Sequence, residues 1–259
     1  QMPDGGSAPV VPASRVDIGV RTSPPGPTLS IGEITPDVQA VANRVADMVQ
    51  DGDCIQIGIG TLPVALLRAL RSEHDLGLHS GMRRAGMPEL ADGGNANGRR
   101  KTIDTGIMLG GVSMGSQALY DWTVGRQDIV YKPISYTHDS ALIGRIDNFV
   151  SINSGLEIDL FGQLNAETVK GRQISGTGGS VDFMRGAQRS RGGKSILAMA
   201  ATAVGGKLSR IVSGFGPGAI TTGLRTDVDY VVTEHGTAHL RDMPVHLRPG
   251  ALIEIAAPP

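Results

Sequence analysis

Residues 35–70 carry the pattern that most restricts the fold. Thr35-Pro36-Asp37 supplies a capping hydroxyl, a proline suited to the first helical position and an early carboxylate, and Val38, Val41, Ala42, Val45, Met48 and Val49 follow at helical spacing. Asp51-Gly52-Asp53 then turns the chain into a short apolar run, 54–59, that reads as a buried strand. Gly58-Ile59-Gly60-Thr61-Leu62-Pro63 leads from it into a second helix through Leu70. A helix, a strand too apolar to face water, a glycine loop and another helix form the repeating unit of a sheet covered on both sides.

The rest of the chain continues that alternation. Further strands are expected at 76–80, 105–109, 129–131, 149–152, 158–161, 195–200, 210–212 and 230–233, with helices at 116–124, 140–146 and 181–189. The predicted class is α/β, a layered α/β/α architecture on a largely parallel sheet. Residues 1–30 are rich in Pro, Gly and Ser, with one apolar patch at 16–20, and read as a linker or an extended lead-in strand before a single domain at 31–259. The apolar patch 251–257 reads as the beginning of a helix; the start at Gln1 is expected to be processed, engineered or truncated, and the end at Pro258-Pro259 to be truncated.

Composition narrows the function. A net charge of −1, from 24 basic and 25 acidic residues dispersed along the chain, gives no field to gather nucleic acid or an anionic membrane, so neither is an expected partner. No apolar stretch has the length of a bilayer span. Cys54, the single cysteine, lies in an apolar run, where a small buried hydrophobe is the ordinary role; without an internal disulfide, a cytoplasmic location is expected. Aromatic residues make up only 3%, against 37 glycines, so the core must be aliphatic and the loops tight. Such loops bring bare backbone N–H groups close to a ligand.

Two loops have that character. Gly58, Ile59 and Gly60 follow a buried strand, where ligands of parallel sheets bind, although Pro63 replaces the third glycine of a dinucleotide fingerprint, and a tight turn without ligand fits too. Gly176, Thr177, Gly178 and Gly179 precede a helix, whose positive end favours anions; a plain surface turn is the alternative.

The segments IQIGIGTLP, DLGLHS, YKPISYTHDSALIGRIDNFVSINSGLEIDLFGQLNAE, GRQISGTGGSVDFMRGAQRSRGGKSI, GGKLSRIV and DYVVTEHGTAHLR resemble, in order and spacing, the C-terminal domain of the acetyl-CoA hydrolase/transferase family. That family includes acetate-, succinate-, butyrate- and 4-hydroxybutyrate-type CoA-transferases. The resemblance implies a class I CoA-transferase fold (NagB/RpiA/CoA-transferase-like), coenzyme A as substrate or ligand and a short acyl-CoA thioester; the six histidines are not spaced as a metal array, so no metal is expected. It implies as partner a separate N-terminal-type domain or subunit, or a second copy in a homo-oligomer. It also assigns Gly58, Ile59, Gly60, Gly176, Thr177, Gly178 and Gly179 to the thioester and CoA.

In the family a glutamate following His-Ser or His-Thr attacks the acyl-CoA carbonyl, a covalent route. Here the residues are His79-Ser80-Gly81-Met82, so Gly81 stands at the nucleophile's position, and Arg83 and Arg84 depart from the family's next residues. A protein that keeps the scaffold without the carboxylate is expected to hydrolyse acyl-CoA, with Glu234 or His79 as base and Asn153 in the pocket, or else to bind CoA as a degenerate module. Structural roles remain open for all three residues. Glu157 with Asp159 on one strand face, His235 with His239, and the basic cluster Arg185, Arg189, Arg191 and Lys194 have structural readings beside acid/base, metal and CoA-phosphate ones.

Overall fold

The central strands are buried along their length, and their side chains alternate between two faces. Ile55, Ile57, Val150, Ile152, Ile196 and Ala198 join one apolar cluster with Val41, Val45 and Leu66 of the first two helices. Cys54 and Phe149 point the other way, to Ile143, Phe183 and Ala187, and Leu197 and Val231 likewise join Met184. Helices therefore cover both faces, the α/β/α layering expected of strands without a wet side. The computed structural model describes residues 10–21, 27–30 and 32–258.

The main sheet has six strands in the order Thr237–His239, Tyr230–Val232, Lys194–Ala198, Phe149–Asn153, Cys54–Ile57, Gly77–Leu78. All neighbours pair in parallel except Thr237–His239, which returns antiparallel to Tyr230–Val232. A single bridge from His79 to Leu109 links the sheet to the parallel pair Met108–Gly110 and Ile129–Tyr131. The first helix, Pro36–Ala46, starts as its sequence dictates, with Thr35 Oγ1 accepting from Val38 N. The Ser116 hydroxyl does the same for Gln117–Thr123 by accepting from Leu119 N. Among the described residues no helix is long and apolar enough to cross a membrane.

Several boundaries differ from the sequence expectation for local reasons. The run at 54–59 leaves the sheet after Ile57, where Gly58 begins the loop. The strand expected at 105–109 is Met108–Gly110, because Thr105 Oγ1 donates to Lys101 O and holds the preceding residues in a turn. The strand at 158–161 is Glu157–Asp159, since the Asp159 carboxylate turns back to accept from Phe161 N and Gln163 N. The last helix is Arg248–Glu254, earlier than 251–257. Of the lead-in, 1–9 and 22–26 lie outside the described residues, as does Pro259; at 16–20 no strand forms, and Val16, Ile18 and Val20 are exposed. With no neighbouring strand there, an extended segment leaves its hydrogen-bonding groups to water.

Candidate functional site

The parallel strands end together, and the loops that follow them collect most of the residues singled out in the sequence. Gly58 follows Cys54–Ile57, His79 follows Gly77–Leu78, Asn153 closes Phe149–Asn153 and Glu234 follows Tyr230–Val232. Ser80 joins the first two loops by donating from Oγ to Ile57 O at 3.4 Å. This carboxyl edge is where ligands of open parallel sheets sit.

His138, which the sequence reading did not single out, packs against two of the glycines. A Cβ built on Gly81 would lie 2.7 Å from both Cε1 and Nε2 of His138, and one on Gly179 would lie 2.2 Å from Nε2 and 2.0 Å from Cδ2. The imidazole is thus wedged between Gly81 and the last glycine of the second loop, and a side chain at either position would require the ring to shift. Local chain geometry places it there. Pro133 opens the short helix Ile134–Thr137, His138 N closes it by donating to Ile134 O, and Asp139 caps the next helix, Ser140–Ile143, through Ala141 N at 2.8 Å.

The ring is half-buried and fixed by aromatic and polar contacts. It packs on Phe183 at 4.6 Å between centroids; Phe183 stacks with Phe149 at 6.3 Å, and Phe149 meets His79 edge-on at 5.9 Å. Thr137 closes the circuit: its carbonyl accepts from His79 Nε2 at 3.0 Å, and its hydroxyl lies 2.8 Å from His138 Nδ1. Two of the chain's four phenylalanines are used here, a concentration of aromatic surface in a protein that has little. Burial lowers the His138 pKa below the ordinary histidine range, partly opposed by Asp182.

His79 itself is fully enclosed. Burial, with a smaller contribution from nearby Lys101, pushes its pKa down to about 4, and its Nδ1 has no hydrogen-bond partner. It supports Thr137 and therefore the backbone that presents His138. Asn153 is buried in an amide network: Nδ2 donates to Gln56 Oε1 (3.0 Å) and Ser151 Oγ (2.9 Å), while Gln56 Nε2 donates back to Oδ1 (3.2 Å). Asn153 Oδ1 also lies 3.0 Å from a Cβ built on Gly58, so it buttresses the first loop. Glu234 Oε2 accepts from Ala201 N at 2.8 Å, and its Oε1 is 3.5 Å from His235 Nε2. That carboxylate ties the 199–203 turn to the end of the neighbouring strand.

The two loops present open backbone. Ile59 and Gly60 are exposed, as are Gly176, Thr177 and Gly178, and nothing stands within 4 Å of a Cβ built on Gly60, Gly176 or Gly178. Gly60 (φ 116°) and Gly178 (φ 59°) hold backbone conformations that glycine adopts without strain. A cleft of about 140 Å³ adjoins the first loop, lined by Gly60, Thr61, Val64, Arg84 and Met114. Its neighbour Arg83 is structural: the buried guanidinium donates to Met108 O and Val130 O and lies 4.2 Å from the centre of the Tyr131 ring.

The remaining candidates are accounted for by the fold. Glu157 accepts from Asn165 Nδ2, Asp159 staples its turn, Arg185 pairs with Asp227 and Arg191 with Asp147. Arg189 donates to Ser140 Oγ and Lys194 to Met48 O. His239 stacks on Tyr230 at 4.3 Å. Among the described residues no group of three or more His, Cys, Asp or Glu is placed to hold a metal ion.

Comparison with known proteins agrees with this architecture. The chain is 40% identical over 245 residues to the 4-hydroxybutyrate coenzyme A transferase of Clostridium kluyveri, covering 95% of this chain and 57% of the relative. It is 37% identical over 261 residues to the butyryl-CoA:acetate CoA-transferase of Anaerostipes caccae, covering 98% of this chain and 58% of the relative. The crystal structure of RipA from Yersinia pestis superimposes with a TM-score of 0.88 at 36% identity, over 95% of this chain and 55% of that one. The chain thus spans somewhat more than half the length of these relatives. Residues 115–259 match the family model described as the acetyl-CoA hydrolase/transferase C-terminal domain. With these sequence and structural matches over the same sheet and loops, the chain belongs to the acetyl-CoA hydrolase/transferase family.

Proposed function

We propose that this protein binds a short acyl-CoA thioester at the carboxyl edge of its sheet and releases coenzyme A to water, without passing the acyl group through a carboxylate on residue 81. One observation carries the reading: Gly81 has no group able to attack a thioester, and His138 fills the space where a side chain there would begin. The open loops at Gly58–Gly60 and Gly176–Gly179 support the binding half, because backbone N–H groups aimed at a carbonyl oxygen stabilise it as negative charge develops. One such donor is worth about 3 kcal/mol in the transition state. In this reading His79, Asn153 and Glu234 hold the loops in place.

The relatives are CoA-transferases that act on short acyl groups, which supports a short acyl-CoA as the substrate. Their greater length supports, as partner, the family's N-terminal-type domain or a second subunit facing this edge. The test is release of free CoA from acetyl-, propionyl- and butyryl-CoA with no acceptor acid present, followed with a thiol reagent. Cys54 is buried and adds little background. Acceptor-free release is expected; strict dependence on an added carboxylic acid would overturn it. Calorimetry showing CoA binding without turnover would instead identify a binding module, a reading that the absence of a carboxylate at residue 81 also supports.

A further inference from the structure

We infer that His138 is the group that takes the proton from the attacking water, standing where a side chain on residue 81 would otherwise project. The inference rests on the hydrolytic reading above and adds to it the identity of the base. Three features of the ring carry it. Nε2 lies between the two glycine positions, 2.7 Å from the Cβ site at residue 81 and 2.2 Å from that at residue 179, where the chain at residue 81 meets the second loop. Nδ1 is engaged by Thr137 Oγ1 at 2.8 Å, while Nε2 has no hydrogen-bond partner among the described residues. The plane of the ring is set by Phe183, whose helix Ser180–Arg189 starts at Gly179.

With Nδ1–H donating to Thr137 Oγ1, the neutral ring presents the Nε2 lone pair outward. Burial favours this neutral form; Asp182, on the helix behind Gly179, opposes it, and His79, beyond Thr137, is itself kept neutral by burial. The step balances as follows. The water oxygen bonds to the thioester carbonyl carbon as its proton passes to Nε2. The carbon–sulfur bond then breaks, leaving its electron pair on sulfur, and the Nε2 proton passes to the CoA thiolate. The products are a carboxylic acid, which ionises in solution, and free CoA, and no oxidant, metal or acceptor acid enters. His79 and Glu234 are less suited: His79 is enclosed with Nε2 turned to Thr137 O, and one Glu234 oxygen accepts from Ala201 N.

The experiment compares the purified wild type with His138→Asn and Thr137→Val for acceptor-free CoA release, with circular dichroism and thermal melts to verify folding. A general base contributes roughly 10²–10⁴-fold, so His138→Asn is expected to lower kcat by that factor while KM stays near the wild-type value. Thr137→Val, which leaves Nδ1 without its acceptor, is expected to lower kcat less, also at constant KM. The wild-type kcat/KM should fall on the acid side as one group protonates, and His138→Asn should lack that limb. A hydrolysing wild type matched in rate by His138→Asn overturns the His138 assignment alone; a wild type that releases no CoA overturns the hydrolytic reading and the assignment with it. If His138→Asn fails to fold, His138→Gln takes its place in the comparison, and a kcat equal to the wild type in that variant overturns the assignment.

Discussion

His138 and a side chain on residue 81 exclude one another, since a Cβ on Gly81 would come within 2.7 Å of the imidazole. The bare backbone at residue 81 and the placement of this ring therefore go together, and the second glycine loop shares in the arrangement through Gly179.

The wedge predicts a measurable coupling. Gly179→Ala puts a methyl carbon into the ring and should destabilise the protein by about 1–3 kcal/mol, the usual cost of overpacking. In a His138→Ala background that cost should largely vanish. Urea unfolding of the four proteins of the cycle checks this, and additive effects would mean that the two residues do not touch in solution.

Restoring the family's carboxylate requires room as well as a glutamate. Gly81→Glu alone should not gain transfer of CoA from butyryl-CoA to acetate, because the new side chain meets His138. The double variant Gly81→Glu with His138→Ala should gain it. The assay is acetyl-CoA formation by chromatography; equal gain in the single variant would show that the ring moves aside freely.

Acid should weaken the fold through His79. Its folded-state pKa of about 4 lies below the ordinary 6.5, so the unfolded chain binds the proton more readily between those values and stability falls with falling pH. The stability that His79 contributes is fully present above about pH 6.5 and declines by about 3 kcal/mol by pH 4. Replacing His79 by Gln should flatten that part of the profile in denaturant titrations; an unchanged slope would place the acid sensitivity elsewhere.

Arg248 should prove a stabilising residue far from the site. Its buried guanidinium donates to the carbonyls of Phe161, Arg225, Leu240 and Met243. Lysine cannot reproduce that planar fork, so Arg248→Lys should cost on the order of 2–3 kcal/mol by thermal melt without changing the KM for acyl-CoA.

The parts of this molecule that the sequence made legible are those whose cause is local. Thr35 caps its helix, the apolar runs around Ile55, Val150, Ile196 and Val231 are the central strands, and the glycines at 58, 60, 176 and 178 lie in exposed loops. His138 escaped notice because its surroundings are non-local: Gly81, Phe149, Phe183 and Gly179 meet it from distant stretches of chain. The available signal was Gly81, a glycine where the family resemblance leads one to expect a carboxylate, but its complement could be found only in space. His79 was conspicuous beside that position, yet strand geometry turns its ring inward to Thr137 O. Arg83 and Arg84 looked like added charge; at Arg83 the sheet uses the guanidinium to satisfy carbonyls beneath Tyr131.

The central claim, that water and no protein carboxylate attacks the thioester, is tested most directly by turnover of acetyl-CoA in ¹⁸O-water, with mass analysis of both the acetate released and the intact protein. The account predicts label in the acetate, free CoA, and a protein of unchanged mass throughout turnover. Capture of a protein-bound CoA thioester, or of ¹⁸O in a glutamate or aspartate side chain, would contradict it.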